Sequence, residues 1–227
     1  MDIIFTDTIN QKTLEQPVPA SQLIPDWYKN LESYRGGAKK PNGTGGTTAT
    51  IKRCMPVFDA ITAGYIVTLP ADVYVSIKDG EQHFEWANYN LVQFHPVEQA
   101  PTHPMGNGHD YPKWTTHWSI RTPKGYSTLF VQPMHRESVF TIFPGIVDTD
   151  EYYSPVNFPF VMNDFNFEGL IPKGTPLGQL IPFKRESWTM KIGGPKDLEK
   201  HKKSQDLLET KIFDRYKTFF RQKKEFK

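Results

Sequence analysis

The chain has one cysteine, Cys54, in 227 residues, which excludes an internal disulfide and fits a reducing compartment or indifference to redox conditions. It has no uninterrupted apolar run of the length that spans a bilayer. Its first residues, Met1-Asp2-Ile3-Ile4-Phe5-Thr6-Asp7, bring an acid in early and carry no long apolar core, so they do not read as a secretory leader. No repeat of 20 to 50 residues is visible, which excludes solenoids and propellers. Nor does one sign of charge dominate, since 27 Lys and Arg stand against 25 Asp and Glu for a net +2.

That near-neutrality conceals an asymmetry. Residues 196–227 hold 11 basic against 6 acidic side chains, whereas the preceding 195 hold 16 against 19. A basic tail can approach nucleic acid. Here its aromatic residues fall on the apolar face of a helix, not along a basic groove, so nucleic acid is not the expected partner. Aromatics are plentiful, with 16 Phe, 10 Tyr and 5 Trp, and 19 Pro with 16 Gly interrupt them often. Such a mixture favours many short strands joined by turns.

The pattern predicts three segments. Residues 1–47 form an arm, a short helix with Leu23 or Ile24, Trp27, Tyr28 and Leu31 on one face, and a glycine-rich linker over 36–48. Residues 48–194 read as a β-barrel domain, with strands at 48–54, 64–69, 73–77, 83–87, 116–121, 126–132, 138–143, 156–162 and 177–183. The Asp79-Gly80 pair between two alternating runs marks a hairpin. Residues 195–227 predict one or two amphipathic helices over 197–223, through Leu208, Ile212, Tyr216, Phe219 and Phe220, with Asp197 or Ser204 as a cap. Their aromatic face is expected to pack on the barrel or on a neighbouring subunit.

His103, His109, Asp110 and His117 cluster around a Gly- and Pro-rich stretch. Histidine with carboxylate can ligate zinc or iron, but this spacing follows no recurrent ligand pattern. A structural or solvent-facing loop is the plainer reading. Cys54 reads as a buried strand thiol.

Two resemblances enter on particular strings. Ile51-Lys52-Arg53-Cys54-Met55-Pro56, Trp118 to Ser127 and Ile171 to Arg185 are similar to an uncharacterised family encoded by tailed phages, notably marine ones, and by some bacteria. That resemblance implies a protein of the host cytoplasm or the virion, with phage structural or host proteins as partners. The second resemblance is to the dUTPase and dCTP deaminase superfamily. It rests on Gly145-Ile146-Val147-Asp148-Thr149-Asp150-Glu151-Tyr152 and on Gly174-Thr175-Pro176-Leu177-Gly178-Gln179-Leu180-Ile181, with Ala63-Gly64-Tyr65 upstream in the same order.

This second resemblance implies a dUTPase-like β-barrel that assembles as a homo-oligomer, as a trimer by analogy. It also implies a set of roles. Asp148 would be the base that activates water against a nucleotide phosphate, with magnesium as the cofactor of that reaction. Tyr152 would stack on the base, Gln179 would contact phosphate, Arg136 and Ser138 would stand in the phosphate-binding segment, and Tyr65 would belong to the first motif. Three features of the sequence run against catalysis. Glu137 sits between Arg136 and Ser138, Tyr65 is followed by Ile66-Val67 where the motif carries an aspartate, and a Lys-rich segment replaces the arginine-containing closing motif. The sequence therefore favours a non-catalytic binding or structural scaffold over a nucleotide pyrophosphatase.

Overall fold

Period-two alternation of apolar and polar residues accounts for most of the chain's regular structure. The computed structural model describes residues 1–11, 14–41, 47–99, 102–106 and 108–227; residues 42–46 of the expected linker lie outside them. The strands are β1 (Ile4–Asp7), β2 (Val18–Pro19), β3 (Tyr65–Thr68), β4 (Val73–Lys78), β5 (Glu81–Trp86), β6 (Val92–His95), β7 (Tyr111–Trp114) and β8 (Trp118–Arg121). They continue with β9 (Tyr126–Val131), β10 (Phe140–Ile142), β11 (Gly145–Val147), β12 (Phe158–Met162), β13 (Gly169–Ile171) and β14 (Pro176–Lys184). Among the described residues the α-helices are α1 (Asp26–Asn30), α2 (Met55–Thr62), α3 (Pro195–Glu209) and α4 (Arg215–Phe219). The protein is mainly β with helices at its carboxyl end, as its composition predicts.

The chain divides into two compact units. The first comprises Met1–Leu23, Ala63–Arg185 and Phe226, and the second Ile24–Thr62, Glu186–Glu225 and Lys227. In the first unit the strands form four antiparallel sheets, ordered β11-β9-β14-β3-β2, β10-β12-β7-β6, β13-β4-β5 and β1-β8. Among the described residues no sheet closes on itself, so the β fold is a set of open sheets around a shared core and not one continuous hydrogen-bonded barrel.

That core draws on every sheet, with Val67, Val75, Trp114, Ile120, Phe130, Phe140, Phe160, Ile171 and Leu180 among its members. β12 shows the principle: Phe158, Phe160 and Met162 are buried while Pro159 and Val161 are only partly so. Trp114 stacks on Phe160 at 4.3 Å and 5° and meets Phe140 edge-on, and burying each such ring stabilises the fold by about 1.5–3 kcal/mol. The hairpin of β4 and β5 turns on Asp79 and Gly80, both at positive φ, which matches the twist of the two strands.

The second unit departs from expectation. The predicted strand over 48–54 is a bridge at Ala49 followed by a 3-10 turn at Ile51–Arg53, and α2 begins at Met55. Cys54, expected as a buried strand thiol, is an exposed residue between that turn and α2. Thr50 accepts from the Lys52 amide and so starts the turn, while Pro56 fits the first helical turn, where its missing N–H is not required. Gly64 at φ +67° stops the helix. In the tail, Asp197 accepts from the Gly194 amide and caps α3, whose residues are exposed almost throughout. Four residues beyond α3 find partners within this unit. Phe213 meets Tyr34 edge-on, Arg53 pairs with Asp214, and Arg221 and Lys224 converge on Asp59.

Candidate functional site

β9 and β14 run antiparallel at the centre of the five-stranded sheet, and their register separates the expected site residues into groups. Ser127 lies opposite Phe183 at one end, and Val131 lies opposite Gln179 toward the other. Four strand residues span roughly 13 Å.

At the Ser127 end, the turn after β11 carries Asp148, Thr149 and Asp150. Ser127 Oγ donates to Asp148 Oδ1 at 2.7 Å, and Arg185, the residue after β14, donates to the same oxygen from Nη1 at 3.2 Å. Arg185 also forks onto Asp150, with Nη1 to Oδ1 at 2.7 Å and Nη2 to Oδ2 at 2.5 Å. The Gly125 amide completes Asp150 at 2.8 Å. The two carboxylates differ in exposure, the Asp148 side chain at 65 % and that of Asp150 at 2 %. Hydrogen bonds from Arg185, then from Gly125, hold the Asp150 carboxyl down at about 2. Beneath them the hydroxyls of Thr122 and Thr128 each lie 2.8 Å from that of Thr149 in a buried cluster. Tyr152 belongs to this end, its amide donating to the Asp148 carbonyl and its side chain 46 % exposed.

At the other end, Gln179 is fully buried and its amide is engaged by backbone. Its Oε1 accepts from the Met134 amide at 2.9 Å and its Nε2 donates to the Ala63 carbonyl at 2.7 Å. Gln179 thus joins β14 both to the loop after β9 and to the end of the segment that follows α2. The same loop carries Ser138, whose hydroxyl accepts from the Phe140 amide, and Arg136. The Nε and Nη2 atoms of Arg136 are buried with no hydrogen-bond partner, and burial lowers the guanidinium pKa. Tyr65 pairs with Leu180 on β3, which sets it on the sheet face opposite Gln179. Its ring meets Phe5 at 5.3 Å, and burial raises its hydroxyl pKa.

Two groupings result: Asp148 with Tyr152, and Gln179 with the Arg136 and Ser138 loop. Within one chain they are separate. Sequence reasoning gave no role to Asp150 or Arg185, the most strongly coupled pair at the first grouping. The Asp-x-Asp spacing and a lone arginine directly after the last strand were the available signals. The histidines also lie apart. His103 stacks on Phe143, His109 stacks on Phe165 and reaches Glu81, and Asp110 accepts from the Val97 amide. Among the described residues no group of three or more His, Cys, Asp or Glu could hold a metal ion, and no helix is long and apolar enough to cross a membrane.

No protein-family model matches the sequence, and no curated protein matches it. Solved structures that resemble the chain include the dUTPase of Staphylococcus bacteriophage 80alpha, at 12% identity and a TM-score of 0.37, covering 85% of this chain and 96% of that one. A point mutant of that phage enzyme with dUpNHpp gives 10% identity and 0.38, covering 85% and 88%. The dUTPase from phage phi11 of S. aureus gives 10% and 0.36, covering 85% and 96%. At such values nothing about substrate or mechanism passes from those proteins to this one.

Proposed function

We propose that this chain is a phage-type protein that uses a dUTPase-like β fold as a non-catalytic binding or structural scaffold and works as a homo-oligomer. The observation that carries the reading is the segment between β14 and α3. Trp188, Met190 and Ile192 stand there at 87%, 87% and 89% exposure. Alternate spacing gives one apolar face if the segment is extended, with Thr189 and Lys191 on the other. Side chains of this size left in water each forgo about 1.5–3 kcal/mol of burial, so the segment is suited to a partner surface. A second copy of the chain is the partner this reading names.

The internal bonding of the expected nucleotide residues supports the non-catalytic part. Asp148 is bonded to Ser127 and Arg185, and both ends of the Gln179 amide are held by backbone. Sedimentation equilibrium should find a multimer for the natural protein and a folded monomer for the W188S/M190S/I192S variant. A monomeric natural protein would overturn the oligomer. Incubation with dUTP and magnesium, followed by chromatography, should yield no pyrophosphate; release that disappears in D148N would instead establish the pyrophosphatase.

One observation favours a ligand-binding form of the scaffold. The buried, unpartnered nitrogens of Arg136 lack the acceptors that a guanidinium in a dry site requires, and a nucleotide phosphate would supply them. Calorimetric binding of a nucleotide that is lost in R136A would support that form, and binding unchanged in R136A would refute it.

A further inference from the structure

Six residues other than glycine hold a positive φ among the described residues: Asn10, Asp79, Tyr89, His117, His135 and Asp214. Asp79 belongs to a hairpin turn and Asp214 precedes α4. Three of the six gather elsewhere, at one cavity of about 500 Å³ in the first unit, lined by Ile9, Gln11, Asn88, Tyr89, Asn90 and His117. Tyr89 and His117 line it directly, at φ +69° and +57°, and Asn10 at +52° lies between two lining residues. Asn and His enter this region more readily than other side chains, so the outlier is Tyr89, for which the conformation is unfavourable and persists only where the surroundings enforce it. At His117 the carbonyl accepts from both the amide and the hydroxyl of Thr8 at 3.0 and 2.9 Å, and at Tyr89 the carbonyl accepts from Trp86 Nε1 at 2.6 Å. A strained residue such as Tyr89 is found most often where a chain holds a ligand.

The chemistry of the walls narrows the ligand. No lining side chain carries a fixed charge, so an ionic ligand would meet no counter-charge there. Gln11, Asn88, Asn90, Tyr89 and neutral His117 each donate and accept hydrogen bonds. The group that complements such a set is a hydroxyl, which also does both. The rings of Tyr89 and His117, 6.1 Å apart and inclined at 47°, offer an apolar surface for the C–H face of a sugar. Asn88 and Tyr89 also line a second cavity of about 430 Å³ with Asp72 and Lys173, where the Lys173 amine is already paired with Glu15. Tyr89 therefore borders both cavities, and the one without a charged lining side chain is the one whose walls suit a neutral ligand.

We infer that this groove binds a neutral oligosaccharide. It shares no residue with the groups proposed for nucleotide or self-association, so its test stands apart from theirs. The probes are maltotriose, cellotriose and triacetylchitotriose, each at about 10 mM, above a Kd near 1 mM. Saturation-transfer NMR with the full chain should show transfer to at least one of them. Asn88 and Asn90 are exposed, so N88A and N90A should keep their circular dichroism while each weakens binding by up to about tenfold. H117Q is expected to do the same. Transfer to none of the three, or transfer unchanged in all three variants, would overturn the assignment.

Discussion

Gly64→Ala is expected to destabilise the protein by roughly 2–5 kcal/mol, which is a large part of the ordinary margin of about 5–15 kcal/mol. Two effects combine. Gly64 sits at φ +67°, where a Cβ is disfavoured by about 1–2 kcal/mol. That Cβ would also stand far inside van der Waals contact of the Leu180 carbonyl oxygen and 2.8 Å from its carbon. These are backbone atoms of the central strand, with Leu180 paired to Tyr65 on one side and to Phe130 on the other, so they cannot yield cheaply. Gly64 in turn accepts from the Ala20 amide, so its own backbone is held as well. Urea unfolding followed by circular dichroism would measure the loss. Gly174→Ala is the matched comparison, because Gly174 has φ +84° but nothing within 4 Å of its added Cβ. It should lose only the conformational part. Equal losses in the two variants would mean that the clash at Leu180 is relieved, contrary to expectation.

The same glycine shows how far the sequence could be read. Ala63-Gly64-Tyr65 was noticeable as a motif, yet the need for glycine comes from Leu180, more than a hundred residues away. Long alternating runs were legible: β4, β5, β9, β12 and β14 lie where period two predicts them. The short strands β3, β8 and β10 also lie within expected runs, whereas β6, β7, β11 and β13 lie in none, because Pro or Gly stands in or beside them and their pairing depends on a neighbouring ladder. α2 was missed because Val57, Phe58 and Ile61 are strand-prone residues and its helical start depends on Thr50 and Pro56. The site was legible only in its residue types. Asp150 and Arg185 are 35 positions apart, and their pairing follows from β14 ending beside the start of β9. Gln179 was visible as a residue, but its bonds to the Met134 amide and the Ala63 carbonyl depend on backbone positions that no local pattern encodes.

Acidification should act on this protein through Asp150. The Asp150 carboxyl is held at about 2, below its ordinary 3.8, by Arg185 and then by Gly125. A carboxyl lowered on folding contributes stability that is complete above its unfolded value and is lost as pH falls through its folded value. The window therefore runs from about pH 4 down to about pH 2. Thermal midpoints of the natural protein should fall across it, whereas D150N should begin lower at neutral pH and show a flatter decline. Asparagine can still accept from the Gly125 amide but cannot neutralise Arg185, and that difference separates hydrogen bonding from charge. R185A is the more informative variant. It leaves the carboxylate with backbone amides, those of Gly125 and of Asp150 itself, as its remaining support. Loss of the counter-charge raises a carboxyl pKa, so the acid transition should start at higher pH than in the natural protein. An R185A transition at the same pH as that of the natural protein would show that Arg185 is not what holds the Asp150 carboxyl down, and the pairing seen at Nη1 and Nη2 would then carry no acid stability.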